Sequence, residues 1–219
     1  MSSLKDPKVT DDLVKALTAS IVNNYPRDVQ LAVAKAIPDA RPNVRVGVSV
    51  LIQNEKGEFL VGERMGSHGA GTVQTPGGHI DFGEEDLKLV AAREVKEETG
   101  LDVKFGKFLT VTNDLFKDEF KHYITNWVIC IMVEPNAKPE VLETKKCKWW
   151  AWMSSEELVK MDKAAEARKA EKKAKGEELD PPAGDELFLP LANLFKQTVD
   201  AEASDLPRFM VSTEGLKHV

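Results

Sequence analysis

Cysteine is scarce: Cys130 and Cys147 are the only two in 219 residues. Neither sits in a paired metal-ligand spacing, which argues against both a zinc site and a disulfide framework and points to the cytoplasm. Long apolar runs are also missing. The longest nearly uncharged stretch, residues 123–133, falls far short of the roughly 20 residues that a membrane-spanning helix needs, so no membrane association is expected. No charged-then-apolar leader opens the chain. Asp6, Asp11 and Asp12 disagree with the acid-poor composition of an organelle presequence, so the mature chain is expected to begin near Met1. Positive charge is not in excess either. The formal net charge of −6 argues against a broad nucleic-acid surface, because a polyanion would be repelled. The same acidity leaves room for a divalent cation.

What is present has the size of one domain with decorations. Residues 1–42 read as a helical N-terminal extension. Leu13, Leu17 and Ile21 recur every four residues, and Val29, Ala32, Val33 and Ala36 give a second apolar face before Pro38 and Pro42. This pair is expected to pack on the main domain, with a homodimer contact as the alternative. From Val44 the period becomes two. Val44, Val46, Val48, Val50 and Ile52 point one way, and a turn at Asn54-Glu55-Lys56-Gly57 predicts a hairpin with Phe59-Leu60-Val61.

A loop with Gly66, Gly69 and Gly71 leads to a short strand through Val73 and Thr75. A helix is expected over about 85–99, stopped by Gly100. Strands are expected over 103–112, 122–133 and 148–153. The order predicts an α/β class, a sandwich with a mixed sheet and a long central helix. Residues 160–180 carry seven Lys or Arg against six Asp or Glu, which predicts a solvated helical insertion, about 160–182, rather than a binding patch. A last helix over 187–199 should dock Leu187, Leu191 and Leu194 on the core. Residues 201–219 form a tail.

The chemistry concentrates in Gly77-Gly78-His79-Ile80-Asp81-Phe82-Gly83-Glu84 and Arg93-Glu94-Val95-Lys96-Glu97-Glu98-Thr99-Gly100-Leu101. At about 100° per residue, Glu94, Glu97 and Glu98 fall within an arc of about 100°, while Leu89, Ala92 and Val95 fall on the other side and can bury. Glutamates three and four apart repel one another. A hard divalent cation is the natural compensation, since Mg²⁺ prefers oxygen ligands and bridges to phosphates. Arg93 can pair with Glu97 one turn on, and Gly77-Gly78 lets a phosphate approach bare backbone.

The run from Gly78 to Leu101 resembles the signature of the Nudix hydrolase family. The resemblance implies hydrolysis of a nucleoside diphosphate linked to another group, on an α/β/α sandwich, with Mg²⁺ or Mn²⁺ as cofactor. Carried onto this sequence, Glu94 and Glu98 are the main metal ligands. Glu97 is a further ligand or the base that orients water, and the Gly78 carbonyl is a fourth oxygen. Arg93 completes the catalytic set. One residue is extra. Eight, not seven, separate Glu84 from Arg93, so either Glu84 or Glu85 can stand for the first glutamate of the signature.

The resemblance extends across about 44–157 and 186–197, through Gly62-Glu63-Arg64, Gly69-Ala70-Gly71-Thr72, His122-Tyr123-Ile124-Thr125 and Trp150-Ala151-Trp152. These are similar to the MutT-related nucleoside-triphosphate diphosphatases, including the thiopurine-nucleotide type and its plant relatives. That branch implies a small-molecule nucleotide cut to monophosphate and pyrophosphate by an enzyme that is commonly a dimer. Arg64, Gly77 and His79 would lie near the phosphates. Gln74, Thr75 and Thr125 would line the base pocket, with Trp150 and Trp152 near its wall. Thr75 departs from the leucine common in that branch. Two rivals stand beside this reading. One is a Nudix enzyme for another diphosphate, such as ADP-ribose, NADH or a prenyl diphosphate, and the other is a binding module without turnover.

Overall fold

The computed structural model describes residues 43–66, 68–119 and 121–200. The expected N-terminal helices and the tail at 201–219 lie outside the described residues. The main compact unit takes Arg45–Asp114 and the chain from Tyr123 onward, and Leu115–His122 belongs to a second unit. Everything discussed as the site lies in the main unit.

Among the described residues, seven strands form two sheets. One runs in the order β4-β1-β6-β5, from Gly77–His79, Val44–Ile52, Lys121–Met132 and Val103–Phe116. The other runs β3-β2-β7, from Val73–Gln74, Phe59–Arg64 and Cys147–Met153. The hairpin expected between β1 and β2 is corrected. The turn itself forms, with the Asn54 side chain accepting from the backbone N–H groups of Lys56 and Glu58. The strands then meet only at the bridge Gln53↔Phe59 and part into different sheets.

The strands lie between two cores. Successive residues of a strand face opposite sides, and here both sides are covered. Leu51, Phe59, Val61, Trp127 and Ile129 join one core with Leu158, Leu191, Leu194 and Phe195. These last four come from α2 (Ser155–Lys175) and α3 (Leu189–Asp200). Val48, Val50, Ile52, Leu60, Val128 and Cys130 join the other core with Val90, Ala91 and Val95 of α1, Leu87–Thr99. The result is the expected α/β/α arrangement. Val44 and Val46, expected on the buried face of β1, are instead 50% and 44% exposed, because the core begins only at Val48.

Helix α1 starts two residues later than expected. Asp86 caps it by accepting from the Lys88 N–H at 2.9 Å, and Gly100 ends it at φ 72°. Glu84 and Glu85 both precede the cap, in the loop after Gly77–His79. The buried side of α1 is also corrected. Val90, Ala91, Glu94, Val95, Glu98 and Thr99 are buried, whereas Leu89 is 70% exposed. The stripe is therefore turned so that two of the carboxylates lie within it rather than opposite it.

The charged insertion, about 160–182, takes most of α2 and the chain that follows it. Ser154 and Glu157 form a reciprocal cap at the start of α2. Further on, Arg168 pairs with Asp185 at 2.9 Å, Lys172 with Asp180 at 2.6 Å, and Lys169 with Glu186. These pairs hold the helix to the segment at 177–188, which runs beside β3. There the Gly184 N–H donates to the Gly71 carbonyl, the Val73 N–H to that of Glu186, and the Phe188 N–H to that of Val73. Leu187, Leu191 and Leu194 are all buried as expected, with Leu187 just ahead of α3. Among the described residues no helix is long and apolar enough to cross a membrane.

Candidate active site

The centre of the site is the contact between α1 and β4. Glu98 Oε2 accepts from the Gly77 N–H at 3.0 Å. A Cβ on Gly78 would lie 2.4 Å from both Glu94 carboxylate oxygens, so the missing side chain is what admits Glu94. Gly77 takes a φ of +152°, and a Cβ there would meet the Val48 carbonyl oxygen at 2.2 Å. The two glycines thus divide the work. Gly77 lets β4 lie against β1, where Ser49 pairs with Gly77 and Val48 with Gly78, and Gly78 makes room for the carboxylate.

Burying two acids beside each other raises their proton affinity. Desolvation pushes Glu98 up to about 8, offset in part by the Gly77 N–H and raised further by Glu94. Glu94 is shifted the same way, again by desolvation first, with Arg93 opposing. Such a pair has a deficit of positive charge. Among the described residues no three carboxylate, histidine or cysteine side chains converge as a ready-made metal cage. A hydrated Mg²⁺ needs less, one or two carboxylates and the phosphates of a substrate. Glu94 and Glu98 fit that requirement, and their elevated proton affinity is what a divalent cation would relieve.

Arg93 organises the outer acids. Its guanidinium meets Glu84 through two hydrogen bonds, at 2.7 and 3.0 Å, and reaches Glu94 at 3.0 Å and Glu97 at 3.1 Å. It also donates to the His79 carbonyl at 3.4 Å. Glu84 and Glu85 differ in their surroundings. Glu84 takes the bidentate pairing, which holds its carboxyl below the usual range, while Glu85 is exposed.

Cations ring this acidic centre. Arg64 acts on Glu98 electrostatically, and Lys146 acts on both Glu94 and Glu98. Arg45 lies near His79, where desolvation first and Arg45 second hold the imidazole pKa below its usual value. The Arg64 guanidinium donates to the Gln74 side-chain carbonyl and to the His68 carbonyl, and stacks 4.1 Å above the Phe188 ring. The His68 ring stacks on Tyr123 at 5.6 Å and meets Phe188 edge-on at 5.4 Å. Tyr123 also lies 5.6 Å from His79 and accepts from Arg45 at 3.1 Å.

The other expected pocket residues fall in two places. Thr75 is buried, with its hydroxyl 2.7 Å from that of Ser49. Thr125 is buried on β6 against Asp114. Trp150 and Trp152 pack against the α1 core, and the Trp150 indole donates to the Glu98 backbone carbonyl at 3.3 Å. The rings gathered around Arg64 are instead His68, Tyr123 and Phe188. Arg45, His68, Tyr123, Lys146 and Phe188 were not singled out by sequence. Tyr123 and Phe188 lie inside stretches that carry the resemblance, whereas Arg45 and Lys146 belong to no local motif.

Known proteins resemble this chain in sequence and in fold. Nudix hydrolase 10 of Arabidopsis thaliana is 43% identical over 72 residues, 32% of this chain and 24% of that protein. Nudix hydrolase 2 of the same plant is 31% identical over 117 residues, 52% of this chain and 41% of that protein. Each match spans less than half of the curated relative. The crystal structure of the MutT protein from Methanosarcina mazei Go1 superposes with a TM-score of 0.52 at 25% identity, covering 75% of this chain and 98% of that one. The NUDIX domain pattern matches residues 43–174, more than half of the chain, and the protein belongs to the NUDIX family.

Proposed function

We propose that this chain is a Mg²⁺- or Mn²⁺-dependent hydrolase that cuts a nucleoside triphosphate to nucleoside monophosphate and pyrophosphate. The observation that carries the reading is the buried Glu94 and Glu98 pair set against Gly77-Gly78, within electrostatic reach of Arg64 and Lys146. When bound, the divalent cation would neutralise phosphate oxygens and acidify a water. Glu94 and Glu98 would hold it, with the Gly78 carbonyl as a further oxygen. Arg64 and Lys146 bind phosphate oxygens, the first in the forked geometry of a guanidinium. Gly77 and Gly78 let the phosphates lie close to backbone, and His79 stands beside them. Glu97, held by Arg93, orients the attacking water or adds a ligand. The base lies toward Gln74, Thr75 and Thr125. Two free, buried cysteines suit a reducing cytoplasmic setting.

The test is a product analysis with Mg²⁺ over canonical and oxidised nucleoside triphosphates, ADP-ribose, NADH and geranyl diphosphate. Monophosphate with pyrophosphate from a triphosphate supports the reading. Turnover confined to the other diphosphates transfers the chain to a different Nudix activity, and binding without turnover makes it a sensor or interaction module. Sedimentation of the same sample decides between monomer and homodimer.

A further inference from the structure

Behind the ring cluster lies a buried acid that the proposed chemistry does not use. Asp114 on β5 is 0% exposed. Its Oδ2 accepts from the Thr125 hydroxyl at 2.6 Å and from the Thr112 hydroxyl at 2.9 Å, and its Oδ1 accepts from the Asn193 amide at 2.9 Å. The directions of these bonds are fixed by chemistry. An indole N–H can only donate, and that of Trp127 donates to Thr112 Oγ1 at 3.0 Å. Thr112 therefore turns its own proton to Asp114. The Asn193 amide nitrogen faces Asp114 and also the Asn113 carbonyl, so it too is a donor. Asp114 accepts on both oxygens, and Thr125 must give it the one proton a hydroxyl has.

Only lone pairs then remain on Thr125 Oγ1. Of the two threonines that donate to Asp114, Thr112 is fully enclosed and Thr125 is 7% exposed, so Thr125 is the one whose hydroxyl can reach a ligand. It stands two residues from Tyr123 on the same face of β6, about 7 Å along the strand. Tyr123 belongs to the ring cluster around Arg64. We infer that Asp114 is a positioning residue for base selection: it makes Thr125 a fixed acceptor, which selects nucleobases that present an exocyclic amino group. The inference rests on the nucleotide reading above. A site built to receive an N–H rejects an analogue lacking it, because its buried acceptor is left unpaired.

The experiment measures kcat/KM with the full chain for two pairs, ATP against purine riboside triphosphate and GTP against inosine triphosphate. In at least one pair the wild-type protein should favour the amino-bearing nucleotide by about tenfold or more. Asp114→Asn places an N–H against Thr125 and frees the hydroxyl proton to face outward. The preference in that pair should then vanish or invert, while kcat for the nucleotide lacking the amino group stays within about threefold. An equal loss for both members would overturn the inference and leave Asp114 a structural anchor. If Asp114→Asn does not fold, Thr125→Ser should keep the preference and Thr125→Val erase it, and equal behaviour of the two overturns the inference. A wild-type protein indifferent in both pairs overturns it while the triphosphate reading stands. Turnover of ADP-ribose instead sinks the triphosphate reading alone, and the same ratio is then taken for ADP-ribose against its counterpart carrying unsubstituted purine. Without any turnover, the ratio is read as calorimetric affinities for the monophosphates. Hydrolysis of geranyl diphosphate alone overturns both.

Discussion

Glu84 and Arg93 face each other through two parallel hydrogen bonds, Nε to Oε1 at 2.7 Å and Nη2 to Oε2 at 3.0 Å. The pairing ties the loop after β4 to the middle of α1. Its remaining guanidinium nitrogen is thereby aimed at Glu94 and Glu97. Partners that orient a metal ligand from one shell out commonly cost 10- to 100-fold when removed.

A contrast between neighbours follows. Glu84→Gln should lower turnover by about tenfold, whereas Glu85→Gln should stay within about twofold, because only Glu84 reaches Arg93. Steady-state kinetics of the two variants checks this, and equal effects would detach Arg93 from the alignment of Glu94.

The paired glycines should separate stability from activity. In Gly77→Ala the new methyl meets the Val48 carbonyl, which is backbone of a central strand and cannot yield, at a φ that L residues avoid. A melting-temperature loss of several degrees is expected. In Gly78→Ala the methyl meets the end of the Glu94 side chain, which can swing aside. Melting should change little while turnover falls by about 100-fold or more, since Glu94 leaves its place. Thermal denaturation and initial rates on both variants read the two effects.

How much of this was legible follows from how local each feature is. Glu94, Glu97 and Glu98 are related by helical spacing alone, so their clustering was visible in the sequence, as was the alternation that makes Val44–Ile52 a strand. The rotation of α1 was not. It depends on a sheet that offers its surface to Val90 and Ala91 rather than to Leu89, and the order of hydrophobic residues along α1 permits either. The parting of β1 from β2 depends on β7 capturing β2 through Gly62↔Trp150 and its neighbours, from a segment far along the chain. The cluster of His68, Tyr123 and Phe188 draws on three separated loops and strands, each of which carries one unremarkable ring.

The pH response of the metal-free protein carries a definite sign. Burial raises Glu98 to about 8 from 4.5, so between these values the folded state keeps a proton that the unfolded chain releases. The contribution of Glu98 is therefore fully favourable below about pH 4.5 and is lost as pH rises through about 8. In EDTA the melting temperature should fall from pH 5.5 to pH 8.5 by more than in Glu98→Gln, whose profile should be flatter. Mg²⁺ should oppose the fall, because a cation favours the ionised carboxylate and its binding releases the proton. Melting curves at a series of pH values with and without Mg²⁺ test all three statements, and identical slopes for the wild type and Glu98→Gln would remove Glu98 from the account.

Arg64 and Phe188 form the last testable unit. The guanidinium carbon lies over the ring, 4.1 Å from its centroid, and the group is also bound to Gln74 and to the His68 carbonyl, so its position is set before any phosphate arrives. Removing Phe188 should cost binding through lost pre-organisation rather than lost charge. Phe188→Leu is therefore expected to raise KM by several-fold with kcat nearly unchanged, and Arg64→Lys, which keeps the charge but not the planar fork, to raise it by about tenfold or more. Because Phe188 enters along β3 on a segment clamped by Arg168, Lys169 and Lys172 of α2, high salt should weaken the wild-type KM as it weakens exposed ion pairs. That salt dependence should shrink in Phe188→Leu. An unchanged salt response there would mean that the clamp acts on the site by another route than the ring.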